Sequence, residues 1–326
     1  MINIVTAITV AASLLAGSLQ LYNFDTTEYM DMSVNPVILD LDFCGDVDDA
    51  VAVRMITTLD NMDICSLKAA GLTVTAPDND GAEVKALHGL LEYDGYGNIP
   101  IGTDVTGYVE KYSSYWNSLI PYSTTEPVTM DAVNLYKNIL GKSYHKVTII
   151  TTGYLTNIAA LLEDEEGRKL MEEKCERLVI MGGCEDGWEN NFGFYDGAIE
   201  AARFVIDEFE GEILFVPQEI GKDVMGGAVI QENDPDDPVS QALLAWGTEN
   251  GKAAFDPYTV LIGCIPEEAL PFEFYDIEAR ILINGAHEFA ESGEYTGRRC
   301  VRLKDDITTE QYTQLLEGIL EAAYKS

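Results

Sequence analysis

Five aspartates, Asp40, Asp42, Asp46, Asp48 and Asp49, fall within ten residues of the segment PVILDLDFCGDVDDAVAV that begins at Pro36. The apolar run Val37–Leu39 reads as a short buried strand and Ala50–Ile56 as the start of a helix. The carboxylates therefore sit on a tight strand-to-helix loop, at the strand end where open α/β sheets bind ligands. One or two of them, Asp46 or Asp48, fit the role of helix N-cap, but folding does not require so much like charge in so small a space. Neighbouring carboxylates raise one another's pKa unless a cation or a polyhydroxyl ligand compensates. The simplest compensating partner is a hard divalent cation that takes oxygen ligands, Ca²⁺ or Mg²⁺.

Three further segments lie where strand ends are expected. TTGYLTNIAALL, Thr151–Leu162, follows the strand KVTII; MGGCEDGWENNFGFYDG, Met181–Gly197, follows RLVI; and AFDPYTVL, Ala254–Leu261, opens a helix. Together with DLDFCGDVDDA these four elements resemble, in matching order, the nucleoside hydrolase family of the inosine-uridine preferring type, in its divergent DxDxxxDVDD branch. The resemblance implies Ca²⁺-dependent hydrolysis of the N-glycosidic bond of a ribonucleoside, giving ribose and free base. It implies Asp42 as general base and metal contact, Asp49 and Asp256 as Ca²⁺ ligands, and the backbone carbonyl of Thr152 as another. Asp48 corresponds to the carboxylate on the ribose 2′-hydroxyl, Asn79 to a ribose contact, and Glu189 and Asn191 to the pair serving the 3′- and 5′-hydroxyls. Homo-oligomers are usual in such a family. The chemistry agrees: an oxocarbenium-like state is stabilised by carboxylates, and a carboxylate within reach of water can take its proton.

The family places a histidine before the last aspartate, and here that position is Phe255. Phe255 suits stacking on a base as well as core packing. His88, His145 and His287 lie outside the motifs, which leaves Tyr112, Tyr115 or Tyr195 as candidate proton donors. Tyr154 stands where proline is usual, and the loop from Glu189 to Gly197 is longer than the family spacing. Two other readings compete. One is a catalytically weak or inactive nucleoside- or sugar-binding protein on the same fold. The other is a haloacid-dehalogenase-like phosphatase, which would explain the DxD but not Asp48-Asp49, TNIA or FDP.

The elements that must position these residues alternate strand and helix. Strands are expected at Ser66–Val74, Ile99–Ile101, Lys146–Thr151, Arg177–Met181, Glu212–Pro217, Phe272–Ile277 and Arg299–Leu303. Helices are expected at Ala82–Tyr93, Ala132–Leu140, Leu155–Leu162, Ala198–Phe209, Val239–Gly247, Pro257–Gly263 and Thr309–Tyr324. That rhythm predicts an α/β fold: a single domain over residues 36–326 with a mainly parallel open sheet and helices on both faces. Residues 1–35 form an N-terminal extension, whose apolar run Ile2–Leu21 resembles a signal-peptide core or anchor and favours an exported or membrane-anchored protein. The 326 residues are 47% hydrophobic, enough for a substantial core, and carry 56 acidic against 20 basic side chains, net −36. Such a charge argues against nucleic acid or an anionic membrane as partner and leaves a small molecule. The six cysteines show no metal-thiolate or disulfide-scaffold spacing and read as buried thiols.

Overall fold

The computed structural model describes residues 35–43, 45–76, 81–109 and 113–325. The N-terminal extension, Cys44, Asn79 and Tyr112 lie outside the described residues. The strands are β1 (Pro36–Leu41), β2 (Ser66–Leu72), β3 (Ile101–Thr103), β4 (Thr129–Asp131), β5 (Val147–Thr151), β6 (Cys175–Met181), β7 (Ile213–Val216), β8 (Met225–Gly226), β9 (Lys252–Ala253), β10 (Phe272–Ile281), β11 (His287–Glu291) and β12 (Arg298–Leu303). The helices are α1 (Asp48–Asn61), α2 (Ala82–Tyr93), α3 (Ala132–Lys142), α4 (Thr156–Glu163), α5 (Glu165–Lys174), α6 (Asn190–Gly193), α7 (Asp196–Glu208), α8 (Ala228–Asn233), α9 (Pro238–Trp246), α10 (Phe255–Cys264) and α11 (Thr309–Lys325).

Ten strands form one sheet in the order β11-β10-β12-β7-β6-β5-β1-β2-β3-β4, and β8 pairs separately with β9. The run from β12 to β4 is parallel throughout. Only β10 is antiparallel to its neighbours β11 and β12. Strands such as VTIIT and PVILDL are buried along their whole length, as parallel strands covered by helices on both faces must be. Successive side chains of β1 point to opposite faces: Val37, Leu39 and Leu41 join the core under α1, α10 and α11, and Ile38 joins the core under α3, α4 and α7.

This is the mainly parallel single-domain sheet that the sequence rhythm predicts. The chain leaves β1 outward through β2, β3 and β4, then returns to the opposite side of β1 and runs outward again through β5, β6 and β7. The loops after β1 and β5 therefore diverge, and a crevice opens between them at the topological switch point.

Some details differ from the sequence expectations, among them the strand expected at Ile99–Ile101, which runs over Ile101–Thr103. The N-cap of α1 is Val47, with no side-chain cap, so neither Asp46 nor Asp48 serves there; both Asp48 and Asp49 lie inside the first turn. Asp46 instead accepts the Val47 amide at 2.6 Å. The helix α5, whose EEGRKLMEEK buries only Gly167 and Met171, and the strand β11, HEFAE, on the sheet edge, are not among the elements expected from the sequence.

Candidate functional site

The N-termini of α1 and α10 converge on the crevice. A helix N-terminus favours negative charge, and each brings carboxylates in its first turn: Asp48 and Asp49 from α1, Asp256 from α10. Asp48 Oδ2 accepts the Asp256 amide at 3.1 Å and so locks the two helix starts together across 208 residues of chain. Carboxylate oxygens of Asp42, Asp49 and Asp256 all lie within 4.8 Å of one another. Thr152, in the loop after β5, donates from Oγ1 to Asp49 at 3.4 Å, and its amide donates to the Asp40 carbonyl at 2.8 Å. Gly153 permits this approach: a Cβ there would lie 2.6 Å from the Asp42 amide nitrogen.

Burial and mutual repulsion perturb the whole cluster. Burial, then Asp42 and Asp48, push Asp49 well above the ordinary carboxylate range. Burial, then Asp48, Asp49 and Asp42, do the same to Asp256. Asp48 is raised to about 7 by burial and the Asp46 charge. Asp49 Oδ2 is buried without a hydrogen-bond partner. Three clustered carboxylates, one with an orphaned oxygen, form a donor set that fits a hard, oxygen-seeking cation.

Beside the cluster lies a cavity of about 270 Å³. Asp42, Asp46, Asp48, Asp256 and Glu189 form its acidic side, and Tyr154, Phe194, Trp246 and Phe255 its aromatic side. Glu189 is raised to about 7 by burial. Asn191 is buried, and its Nδ2 donates to the Thr152 carbonyl at 3.0 Å and the Met181 carbonyl at 3.1 Å. That bond ties the longer Glu189 loop to the β5 loop. Of the residues singled out from sequence, Asp42, Asp48, Thr152, Glu189, Asn191, Phe255 and Asp256 all line the cavity, and Asp49 lies directly behind it. Asn79 lies outside the described residues.

Of the candidate proton donors, Tyr112 lies outside the described residues and the other two are placed elsewhere. Tyr115 is buried, with its hydroxyl on the Phe43 carbonyl. Tyr195 stacks on Tyr108 at 3.9 Å, behind Tyr154. His88 is buried against Ser123 and Gly97, His145 is exposed, and His287 Nε2 sits 2.9 Å from both the amide and the carbonyl of Cys184. The five described cysteines are free and buried.

Residues not singled out from sequence complete the site. Trp246, at the end of α9, joins the aromatic side, and Lys252 pairs with Asp46 at 2.6 Å. Beneath the loops, buried Asp40 accepts hydrogen bonds from the Tyr136 hydroxyl and, at 2.9 Å, from Asn157 Nδ2. Burial raises Asp40 to about 7 against those two bonds. Asn157 also donates to the Leu72 carbonyl at 2.8 Å, so the TNIA motif binds β1 to β2. Its signal was present in the sequence; Trp246 and Lys252 belong to no motif.

An open, mainly parallel sheet with helices on both faces and an acidic cleft at its switch point places the chain among the doubly wound α/β proteins. The model of the Inosine-uridine preferring nucleoside hydrolase family matches residues 37–262, and the chain belongs to that family. A pyrimidine-specific ribonucleoside hydrolase, RihA of Citrobacter koseri, is 28% identical over 159 residues, 46% of this chain and 48% of that protein. The chain matches between about a fifth and half the length of such curated relatives. Among solved structures, the plant nucleoside hydrolase PpNRh1 aligns with a TM-score of 0.68 at 20% identity, covering 88% of this chain and 99% of that one. The type III effector XopQ, complexed with adenosine diphosphate ribose, aligns at 0.66 and 17% identity, covering 98% and 99%. At those identities the likeness is one of fold.

Proposed function

We propose that the protein is a Ca²⁺-dependent N-ribohydrolase that splits a ribonucleoside into ribose and free base. The observation that carries this reading is the convergence of Asp42, Asp49 and Asp256, from segments distant in the chain, on one cavity. Asp42, Asp49, Asp256 and the Thr152 carbonyl would hold the ion. Ca²⁺, when bound, supplies a positive charge that engages vicinal hydroxyls and lowers the pKa of water.

The chain's own residues account for the rest. Asp42 takes the proton of the attacking water as general base. Asp48, Glu189 and Asn191 orient the ribose hydroxyls, and Asn79 belongs to the same set. The acidic side of the cavity stabilises the positive charge that develops on the sugar ring. Phe255 and Trp246 supply flat apolar surface for the base. A homo-oligomer, and an exported or anchored chain with residues 1–35 as extension, complete the proposal. Among the described residues no helix is long and apolar enough to cross a membrane.

A second reading, a binding protein on the same fold, is favoured by one observation: no histidine lines the cavity, and Phe255 occupies the acid's place. The two separate in a panel of purine and pyrimidine nucleosides, assayed for ribose release with Ca²⁺ and with chelator. Chelator-sensitive release supports the hydrolase. Nucleoside binding by calorimetry without release supports the binding protein.

A further inference from the structure

Among the described residues the cavity lining has no lysine, arginine or histidine, and it has five carboxylates. Those charges favour a cationic sugar but oppose a base that departs with an electron pair. Among the described residues a cation stands at this edge. Lys252, in β9, places its ammonium 2.6 Å from Asp46 Oδ2, a cavity-lining carboxylate. The same ammonium lies 5.9 Å from the centre of the Trp246 ring and 5.6 Å from that of Phe255, the two rings on the cavity's aromatic side. It is near enough to Asp48 to act on its charge.

The position is built, not incidental. The antiparallel pairing of β9 with β8 fixes Lys252 opposite Gly226. The Ala254 amide donates to the carbonyls of Gly221 at 3.0 Å and Val224 at 2.9 Å, holding the segment that leads into Phe255. Lys252 keeps a fifth of its side-chain surface in solvent, which gives it a route to recover a proton. An ammonium has three donors, and Asp46 accepts one.

We infer that Lys252, presented by Asp46 beside the Trp246 and Phe255 rings, is the proton donor to the departing base. The inference rests on the hydrolase reading. In that step the C1′–N bond breaks with its electron pair going to the base nitrogen system, and the Lys252 ammonium gives the base a proton. The water oxygen forms the new bond to C1′ and yields its proton to Asp42. Solvent then restores the proton on Lys252 and removes the one on Asp42.

The test compares inosine and uridine, whose bases need a proton, with p-nitrophenyl riboside, whose nitrophenolate leaves without one. Lys252→Met should lower kcat on the nucleosides by about 100-fold or more, the range of a lost general acid, and leave p-nitrophenyl riboside nearly unchanged. Lys252→Arg, which keeps the charge but does not release a proton, should stay as low as Lys252→Met on nucleosides. Asp46→Asn combined with Lys252→Met, which removes the unpaired carboxylate, should also stay low. Equal losses on both substrate types, recovery in the arginine or double variant, or no loss at all overturns the donor role. A wild type that hydrolyses neither substrate type overturns the hydrolase reading itself, so the two failures are distinguishable.

Discussion

At the scale of single residues, the site is a set of carboxylates held against their own repulsion. Burial and like charge raise Asp49 and Asp256, and Asp48 reaches about 7 from an ordinary 3.8. The ion-free folded state therefore binds more protons than the unfolded chain between about pH 4 and pH 7. Stability changes with pH in proportion to the protons bound unfolded minus those bound folded, and here that difference is negative. In chelator, the melting temperature is expected to fall as pH rises through this window. Above it, with the carboxylates ionised, Ca²⁺ should recover the loss, because binding only the folded state stabilises it. Asp49→Asn removes one of the repelling charges. It should melt at or above wild type in chelator at pH 7.5, with a much smaller response to Ca²⁺. Melting curves at several pH values, with and without the ion, read both effects; a wild-type melting temperature in chelator that rises from pH 4 to 7 would contradict this account.

At the scale of elements, the site depends on keeping the N-terminus of α1 in register with α10. Further along α1, Arg54 is buried between Asp94 and Asp237, at 2.8 Å from each, and meets the Tyr324 hydroxyl of α11 at 3.1 Å. This network clamps α1 to the loop after α2, to the start of α9 and to the C-terminal helix. Asp237→Ala strands part of that buried charge, and removing one partner of a buried pair costs about 3–5 kcal/mol. Since Asp94 still pairs with Arg54, the expected loss is at the lower end, measured by urea unfolding. Much of this frame was legible in the sequence. Short apolar runs such as VTIIT and RLVIM could only be buried parallel strands between amphipathic helices, and Ala82–Tyr93 appears with those bounds. The carboxylate cluster was legible because its residues sit at strand ends and in motifs. What stayed hidden has a physical reason. Charged α5 buries only Gly167 and Met171, and β11 is a short edge strand, so neither carries the apolar run by which the other elements were read. Lys252 acquires meaning only when the chain folds it against Asp46, 206 residues away.

At the scale of the whole molecule, the fold brings the first strand-to-helix loop and the distant helix α10 to one crevice. The loop after β1 contributes Asp42, the helix that follows Asp49, and α10 Asp256, all at the side where the strand order reverses. A net charge of −36 attracts cations to this surface. It also makes the cluster's need for a counter-ion a property of the entire protein. Every motif of the family resemblance meets in this place, and the central claim is that the place is a hydrolytic one loaded with Ca²⁺. The most direct test is the initial rate of ribose release titrated with Ca²⁺, for wild type, Asp42→Asn and Asp256→Asn. The account predicts that Asp42→Asn loses turnover by about 100-fold or more, the reach of a general base, at any Ca²⁺ concentration. It predicts that Asp256→Asn retains turnover only at much higher Ca²⁺. Ribose release that persists in Asp42→Asn, or that is indifferent to Ca²⁺ in all three proteins, would contradict it.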